Sequence, residues 1–485
     1  MFHGIWSQFR DNPDYDEIIS AGARSAMTDE EFLATETKKW LHSPRRRMQL
    51  KGNAWYHYDF DHDACAVGRD ADGMPVYAQE ENDRVIDNQY ANLVDQHVNY
   101  VLGKPFTVTT TDEAYEDQLN IIFDRPFKRM LSRVAIDAVN EGIAWVFPYY
   151  NANGEMEFQE FPAHEILPFW QDAEHTKLDC AVRYYETLAY EGRTETTIAH
   201  VELYTKESVK RYVFDGGRLV PDVDGGTEVY YAVSGANEPQ AWARIPLIAF
   251  KYNAHEIPMV KRIETQQLAL NRTRTNWTQL MNKDINSTIL AVKGYDGENV
   301  KDLREKLQKY GAVLLENDGD IQPVEIQRGS EDYIVYITQL KKSLVENARG
   351  FDAKDDRVAS NPNEMNLRSM YSDIDLDADM METQFQAGFD ELLWFIDQYL
   401  LNAGAGDFTN EDVVFTFDRN MIVNDGDTIN NIRNSDGIVS RKTLLAHHPY
   451  VTNVQQELDR LQEEQDAQSG MMDDYLKAAT AGDEA

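Results

Sequence analysis

At 485 residues the chain is too long for one compact core, and at about 150 residues per domain it matches two to four domains. Its 42% apolar and 27% charged residues mark a globular chain. Acids outnumber bases 84 to 47, a formal charge of −37. That balance excludes an autonomous DNA-wrapping protein, which needs Lys and Arg against phosphates, but not one that handles DNA and lets go.

The first 50 residues are polar and mixed, with Pro44-Arg45-Arg46-Arg47 as the only basic run, and read as a solvated arm. No apolar signal region precedes Leu50, and the longest apolar stretches, such as Ile143–Phe147, fall far short of the about 20 residues a bilayer needs. The chain is expected to be soluble and made in a cytoplasm. Cys65 and Cys180 lie too far apart for a CxxC motif and read as ordinary half-buried thiols.

From Asp83 to Leu102, apolar residues recur at three- and four-residue spacing and Gly103 sits where a helix ends. Pro126 fits the first turn of a second helix running to about Asn140. The period then changes to two. Ile143–Phe147 and Glu155–Gln159 flank an Asn151–Gly154 hairpin turn. The strand character continues through Ala181–Tyr190, Thr194–Tyr204 and a hairpin around Asp215-Gly216-Gly217. Residues 143–250 thus read as a β-rich block between helical ones, an α+β arrangement.

Met259 to Ser287 has no helix breaker, giving about 45 Å of helix. Its Lys261, Arg262, Arg272, Arg274 and Lys283 outnumber Glu264 and Asp284, a local inversion of the overall charge. A small α/β patch follows: strands at 288–292 and 312–315, a helix at 300–310, and punctuation at Asp318-Gly319. It is too small to bury a core of its own. Asp332–Arg349 is the next helix, carrying Lys341 and Lys342, and Phe351–Ser360 has no apolar period. Asn361-Pro362-Asn363-Glu364 combines an N-cap, a first-turn proline and a capping-box acid, opening a helix to about Asn402 with Gly388 as its expected kink. Val413–Phe417 reads as a strand, and Arg441–Ala467 as a helical tail turning at His448-Pro449.

Catalytic signatures are missing. There is no GxxxxGK[ST] loop, no HExxH and no GxSxG elbow. Asp373, Asp375, Asp377 and Asp379 resemble the start of a calcium loop, but Ala378 and Gln384 stand where glycine and glutamate are required, so a solvated acidic face is expected. His57 and His62 with Asp59, Asp61 and Asp63 are spaced poorly for a metal. No cofactor is expected.

The order of parts, and the stretches RVIDNQYANLV at 84–94, YVLGKPF at 100–106, AVKGY at 291–295, 367–376 and ELLWF at 391–395, resemble the portal proteins of tailed bacteriophages, in the siphophage branch of Gram-positive hosts. The resemblance covers about residues 80–440. It implies an α+β, ring-forming subunit, usually one of twelve, at a single capsid vertex of the virion, assembled in the host cytoplasm. The wing would take 1–257 and 403–435, the two stem helices 258–287 and 328–350, and the clip 288–327. The tunnel loop would be 351–361, the long wing helix 362–402 and the crown 436–485. Double-stranded DNA would pass through without tight binding. The family's motor is a separate terminase, so a chain without a nucleotide cradle fits; capsid, scaffolding and head-completion proteins are the other implied partners, and no membrane is.

On that reading Asp352, Lys354, Asp355, Asp356 and Arg357 are tunnel-loop candidates for facing DNA, at near-balanced charge. The basic residues Lys261, Arg262, Arg272, Arg274, Lys283, Lys341, Lys342 and Arg349 are stem candidates for the channel, and Asp296, Glu298, Lys301 and Arg304 are clip candidates for docking. Two rivals stand beside it: a ring scaffold that never meets DNA, and a carboxylate-metal nuclease built on Asp373–Asp379.

Overall fold

The computed structural model describes residues 28–60, 68–69, 75–76, 84–151, 153–223, 226, 228–233, 239–240, 242–284, 289–295, 315–324, 330–352, 364–419, 425–446, 448–451, 454, 457–458 and 460–462. Two compact units divide the chain. The first takes Met1–Phe351 with Asp373–Arg419, the second Asp352–Ser372 with Asn420–Ala485.

In the first unit the expected solvated arm is, from Thr28 on, a pair of packed helices. Thr28 and Glu31 form a capping box that starts α1 (Asp29–Leu41), and Ser43 with Pro44 starts α2 (Pro44–Tyr56). The polar composition hid an apolar edge: Phe32, Leu33 and Trp40 lie buried in one cluster with Leu167, Phe169, Cys180, Val182 and Val201. Each such side chain stabilises by about 1.5–3 kcal/mol. Two residues of the basic run are also spent internally, while Arg47 is exposed. Arg45 pairs with Glu256, and Arg46 donates to the His164 carbonyl at 2.9 Å with its guanidinium 5.0 Å from the Trp40 ring centroid.

Helix α3 is Gln89–Leu102, shorter than the expected Asp83 start, because Asn88 caps it and residues 85–87 hydrogen-bond elsewhere. Strand β1 (Thr107–Thr110), α4 (Glu113–Ile122) and α5 (Arg125–Glu141) follow, α5 ending at Gly142 in the left-handed region. The β-rich block is as the period-two runs indicate. Strands β2 (Ile143–Tyr150) and β3 (Met156–Pro162) pair as a hairpin, and β10 (Ile248–Lys251) completes their three-stranded sheet on the other side of β2.

The larger sheet runs β8-β7-β6-β5-β4, with β4 Ile166–Trp170, β5 Leu178–Glu191, β6 Thr194–Tyr204, β7 Ser208–Asp215 and β8 Arg218–Pro221. A sixth strand, β9 (Glu228–Tyr230), shares the outer edge of β7. Alternation sends Cys180 and Val182 to the α1 side and Ala181 to the side of Trp145 and Phe161. Both faces are therefore buried at this end of the sheet, while the far end of the β5–β6 hairpin, with Leu188 and Tyr190, is exposed.

Helices α6 (Met259–Asp284) and α7 (Ser330–Ala348) fall on the two runs read as helical, 259–287 and 332–349. Between them β11 (Ile289–Tyr295) pairs antiparallel with β12 (Leu315–Val324). Asp318-Gly319 does not end a strand as expected. Pairing jumps from Tyr295 with Leu315 to Lys293 with Asp320, so these residues form a bulge within one longer strand. The helix expected at 300–310 lies outside the described residues.

Helix α8 (Glu364–Ala403) runs 40 residues without interruption. Gly388 is not a break; a Cβ there would meet the Phe250 ring at 3.0 Å and the Ala249 carbonyl at 3.1 Å, so glycine admits β10 against the helix. The next residue, Phe389, stacks on Phe415 of β13 (Val413–Thr416) with ring centroids 4.3 Å apart, and Phe106, Phe123 and Phe250 surround it. Strand β13 pairs with β1. In the second unit, α9 (Asp425–Asn434), which the sequence reading lacked, precedes α10 (Arg441–Ala446). Among the described residues no helix is long and apolar enough to cross a membrane.

Candidate functional site

The two helices expected to form the stem pack against each other in opposite directions. Trp277 stacks on Tyr333 at 4.1 Å, and further along Arg274 and Lys341 meet at one carboxylate. Met259, Val260, Ile263 and Leu270 bury an apolar stripe of α6, and Ile337, Leu344 and Ala348 do so for α7.

A second stripe of α6 is polar and equally buried: Gln267, Asn271 and Thr275, at four-residue spacing. These side chains serve the backbone of residues 85–90. Gln267 Oε1 accepts from the amides of Gln89 and Tyr90 at 3.1 Å each, so it caps the start of α3 from another helix. Its Nε2 donates to the Asp87 carbonyl at 2.7 Å, and Asn271 Oδ1 accepts the Asp87 amide at 3.0 Å. Thr275 Oγ1 accepts the Val85 amide at 3.2 Å. Residues 85–88 are thereby held as an extended strap along α6, which is why the apolar period there yields no helix.

The strap carries Asp87. Its Oδ2 lies 3.0 Å from Arg274 Nε of α6 and 3.1 Å from Lys341 Nζ of α7. At the other end of the pair, Asp377 of α8 is 1% exposed and gathers four partners. Arg262 Nη1 of α6 lies 2.8 Å from its Oδ1 and Arg349 Nη1, just past α7, lies 3.5 Å from it; His97 Nδ1 lies 3.3 Å from its Oδ2, and the Tyr252 hydroxyl donates to it. Burial alone would raise the carboxyl's pKa, but His97, Arg262 and Tyr252 outweigh it and hold the group well below the usual carboxylate range. The same elements are joined by Gln96, whose amide accepts from Phe351 N at 2.8 Å and donates to its carbonyl at 2.7 Å.

Of the eight stem cations expected to face a channel, Arg262, Arg274, Lys341 and Arg349 are thus engaged with Asp87 or Asp377. Lys261 and Arg272 are exposed, and exposed Lys342 lies 3.9 Å from Glu346 on its own helix. Nothing is described of the Lys283 side chain. Asp352 is exposed, while Lys354, Asp355, Asp356 and Arg357 lie outside the described residues, as do Asp296, Glu298, Lys301 and Arg304.

The acidic run at 373–379 is not simply a solvated face. Asp377 is buried, and Arg419 reaches Asp375 at 2.9 Å, Glu382 at 2.7 Å and also Asp379. The acids point in several directions, as a helix requires, and their partners lie far away in sequence. A second buried carboxylate, Glu256, precedes α6 and is paired with Arg45, with His175 at 2.8 Å and with Lys251 at 3.1 Å. Burial opposes its ionisation, yet Arg45, His175 and Lys251 bring its pKa well below the ordinary value. Asp87 and Glu256 were not among the expected site residues, and Asp377 was named only within the acidic run of the rival metal site; a polar stripe at 267, 271 and 275 inside an otherwise apolar-periodic helix was the readable sign.

The family model "Phage portal protein, SPP1 Gp6-like" matches residues 38–471. The chain belongs to that family: it is a bacteriophage portal protein, a component of the head-tail connector in the virion. It is 26% identical over 482 residues to the portal protein of Bacillus phage SPP1, covering 96% of this chain and 92% of the other. The portal protein of Clostridium phage phiCD119 is 23% identical over 427 residues, covering 83% and 91%. Among solved structures, the neck of an empty gene transfer agent particle is 11% identical, covers 73% of this chain and 88% of its own, and has a TM-score of 0.41. The last likeness is too low to bear on the assignment.

Proposed function

We propose that this portal protein closes into a ring, twelve copies in the virion, around a channel through which double-stranded DNA enters and leaves the capsid. The observation that carries closure is the outer face of α7. Ile334, Val335 and Tyr336 are 61%, 68% and 50% exposed in succession, beside an α6 whose Met281 is 53% exposed. Apolar side chains left outward in succession mark a surface for a partner, here a neighbouring copy, and a head-to-tail interface that closes gives a ring.

In this reading 1–257 with 403–435 form the wing, 258–287 and 328–350 the stem, 288–327 the clip, 351–361 the tunnel loop, 362–402 the long wing helix and 436–485 the crown. Two-stranded pairing of β11 with β12 supports a clip that needs neighbours, since an isolated pair is marginal in water. Terminase and the head-completion proteins dock on it through Asp296, Glu298, Lys301 and Arg304. Capsid and scaffolding proteins surround the ring during assembly in the host cytoplasm. The chain performs no catalysis and takes no cofactor; the terminase hydrolyses ATP. The strongly negative subunit repels DNA over most of its surface, and Lys354 and Arg357 make brief, salt-weakened contacts with it.

Deletion of Ala353–Val358 tests the channel. Particles carrying the deletion are expected to contain assembled portals and to package or retain at least tenfold less DNA than the parent. Parental amounts of retained DNA would reduce the loop to a connection.

A further inference from the structure

Two carboxylates, one on a strap and one on a wing helix, each take one cation from each stem helix. Asp87 takes Arg274 and Lys341; Asp377 takes Arg262 and Arg349. The two fastening points are twelve residues apart on α6, about 18 Å along its axis. One fastening alone would leave the pair free to swing about it. Two, reaching both helices, fix its tilt and its axial position together.

The Gln267, Asn271 and Thr275 ladder makes the strap itself rigid. It satisfies the amides of Val85, Asp87, Gln89 and Tyr90, so a one-residue slip of α6 would strand several buried polar groups at once. Such polar contacts specify register where apolar packing alone would tolerate sliding. Beyond Thr275 on α6 and before Lys341 on α7, no further carboxylate from outside the pair engages it among the described ion pairs.

We propose that Asp87 and Asp377 are positioning residues of the channel: they lock the base of the stem to the wing by engaging Arg262, Arg274, Lys341 and Arg349 in ion pairs. The exposed Lys261 and Lys342 are left as described stem cations open to phosphate or to a neighbouring copy. The assignment of a channel rests on the function proposed above; the lock itself is a property of one subunit. It makes the proximal stem move with the wing and confines bending to the distal part of the helix pair, toward β11 and β12.

Amide hydrogen exchange on the purified 485-residue chain tests the lock without DNA. Asp87→Asn and Asp377→Asn are each expected to speed exchange at least tenfold within 260–275 and 339–349, with overall secondary structure kept. Lys261→Gln and Lys342→Gln are expected to stay within twofold of the parent. Asp87→Lys should loosen the same segments, and Asp87→Lys combined with Lys341→Asp should restore them, a rescue that generic destabilisation does not give. Should Asp377→Asn fail to fold, the Asp87 variants and their rescue decide the matter. Parental exchange in Asp87→Asn, equal loosening in the two lysine controls, or no rescue by the exchanged pair would overturn the proposal. Packaging by the lysine controls is read separately. If exchange behaves as stated but Lys261→Gln with Lys342→Gln alters neither ring formation nor the salt dependence of packaging, the lock stands and the channel reading of those two lysines falls.

Discussion

Replacing Phe389 by alanine is expected to cost the first unit about 3–5 kcal/mol, the range for emptying a buried aromatic site. Phe389 is fully buried, and its ring lies 4.3 Å from that of Phe415, 5.4 Å from Phe106 and from Phe250, and 5.9 Å from Phe123. These rings come from α8, β13, the turn before β1, β10 and the end of α4. The cavity has walls on four other elements, so collapse of any one cannot fill it. Phe389→Leu, which keeps most of the volume, should cost clearly less. Urea unfolding followed by tryptophan fluorescence reads both. A cost below about 1 kcal/mol for alanine would mean that α8 is not the centre of this core.

Gly142→Ala should have a comparable effect through a different cause. Gly142 ends α5 with φ +86, which costs a side-chain-bearing residue about 1–2 kcal/mol. In addition, a Cβ there would fall 2.1 Å from the Glu256 carbonyl oxygen and 2.5 Å from its carbon. Neither atom belongs to a flexible side chain, so backbone must shift, adding about 1–3 kcal/mol. The control is Gly154→Ala in the β2–β3 turn, where φ is +81 and nothing lies within 4 Å. It incurs the conformational cost alone. The difference between the two variants in thermal unfolding isolates the close approach, and equal losses would show that the Glu256 loop yields freely. That loop leads into α6 and is held by Arg45, His175 and Lys251, so the contact seats α6 as well as the sheet.

Elements set by local pattern were legible in the sequence. Pro126 marked the start of α5, the run from Met259 without a breaker gave α6 to within a few residues, and the Asn151–Gly154 turn marked the β2–β3 hairpin. What escaped depends on partners distant in sequence. Phe32, Leu33 and Trp40 sit among enough polar residues to read as an arm until the sheet that covers them is known. Gly388 reads as a weak point because its purpose, the approach of Phe250, lies 138 residues away. The apolar period from Val85 suggested helix, but Asn271 and Thr275 hold that backbone in an extended form. Charge inversion drew attention to α6, which carries Arg262 and Arg274 of the two ion-pair clusters, yet could not divide its cations. Arg262 and Lys261 are neighbours in sequence, and only the fold turns one to Asp377 and leaves the other exposed.

Closure into a ring is the claim on which the channel, the docking role of the clip and the use of the tunnel loop all depend. Electron microscopy of the purified chain, with its mass measured in solution across a wide concentration range, tests it most directly. The account predicts closed rings of one subunit number with a central opening, at a mass that is a whole multiple of 55.7 kDa. A chain that remains a monomer at every concentration, or that forms only open filaments, would contradict it.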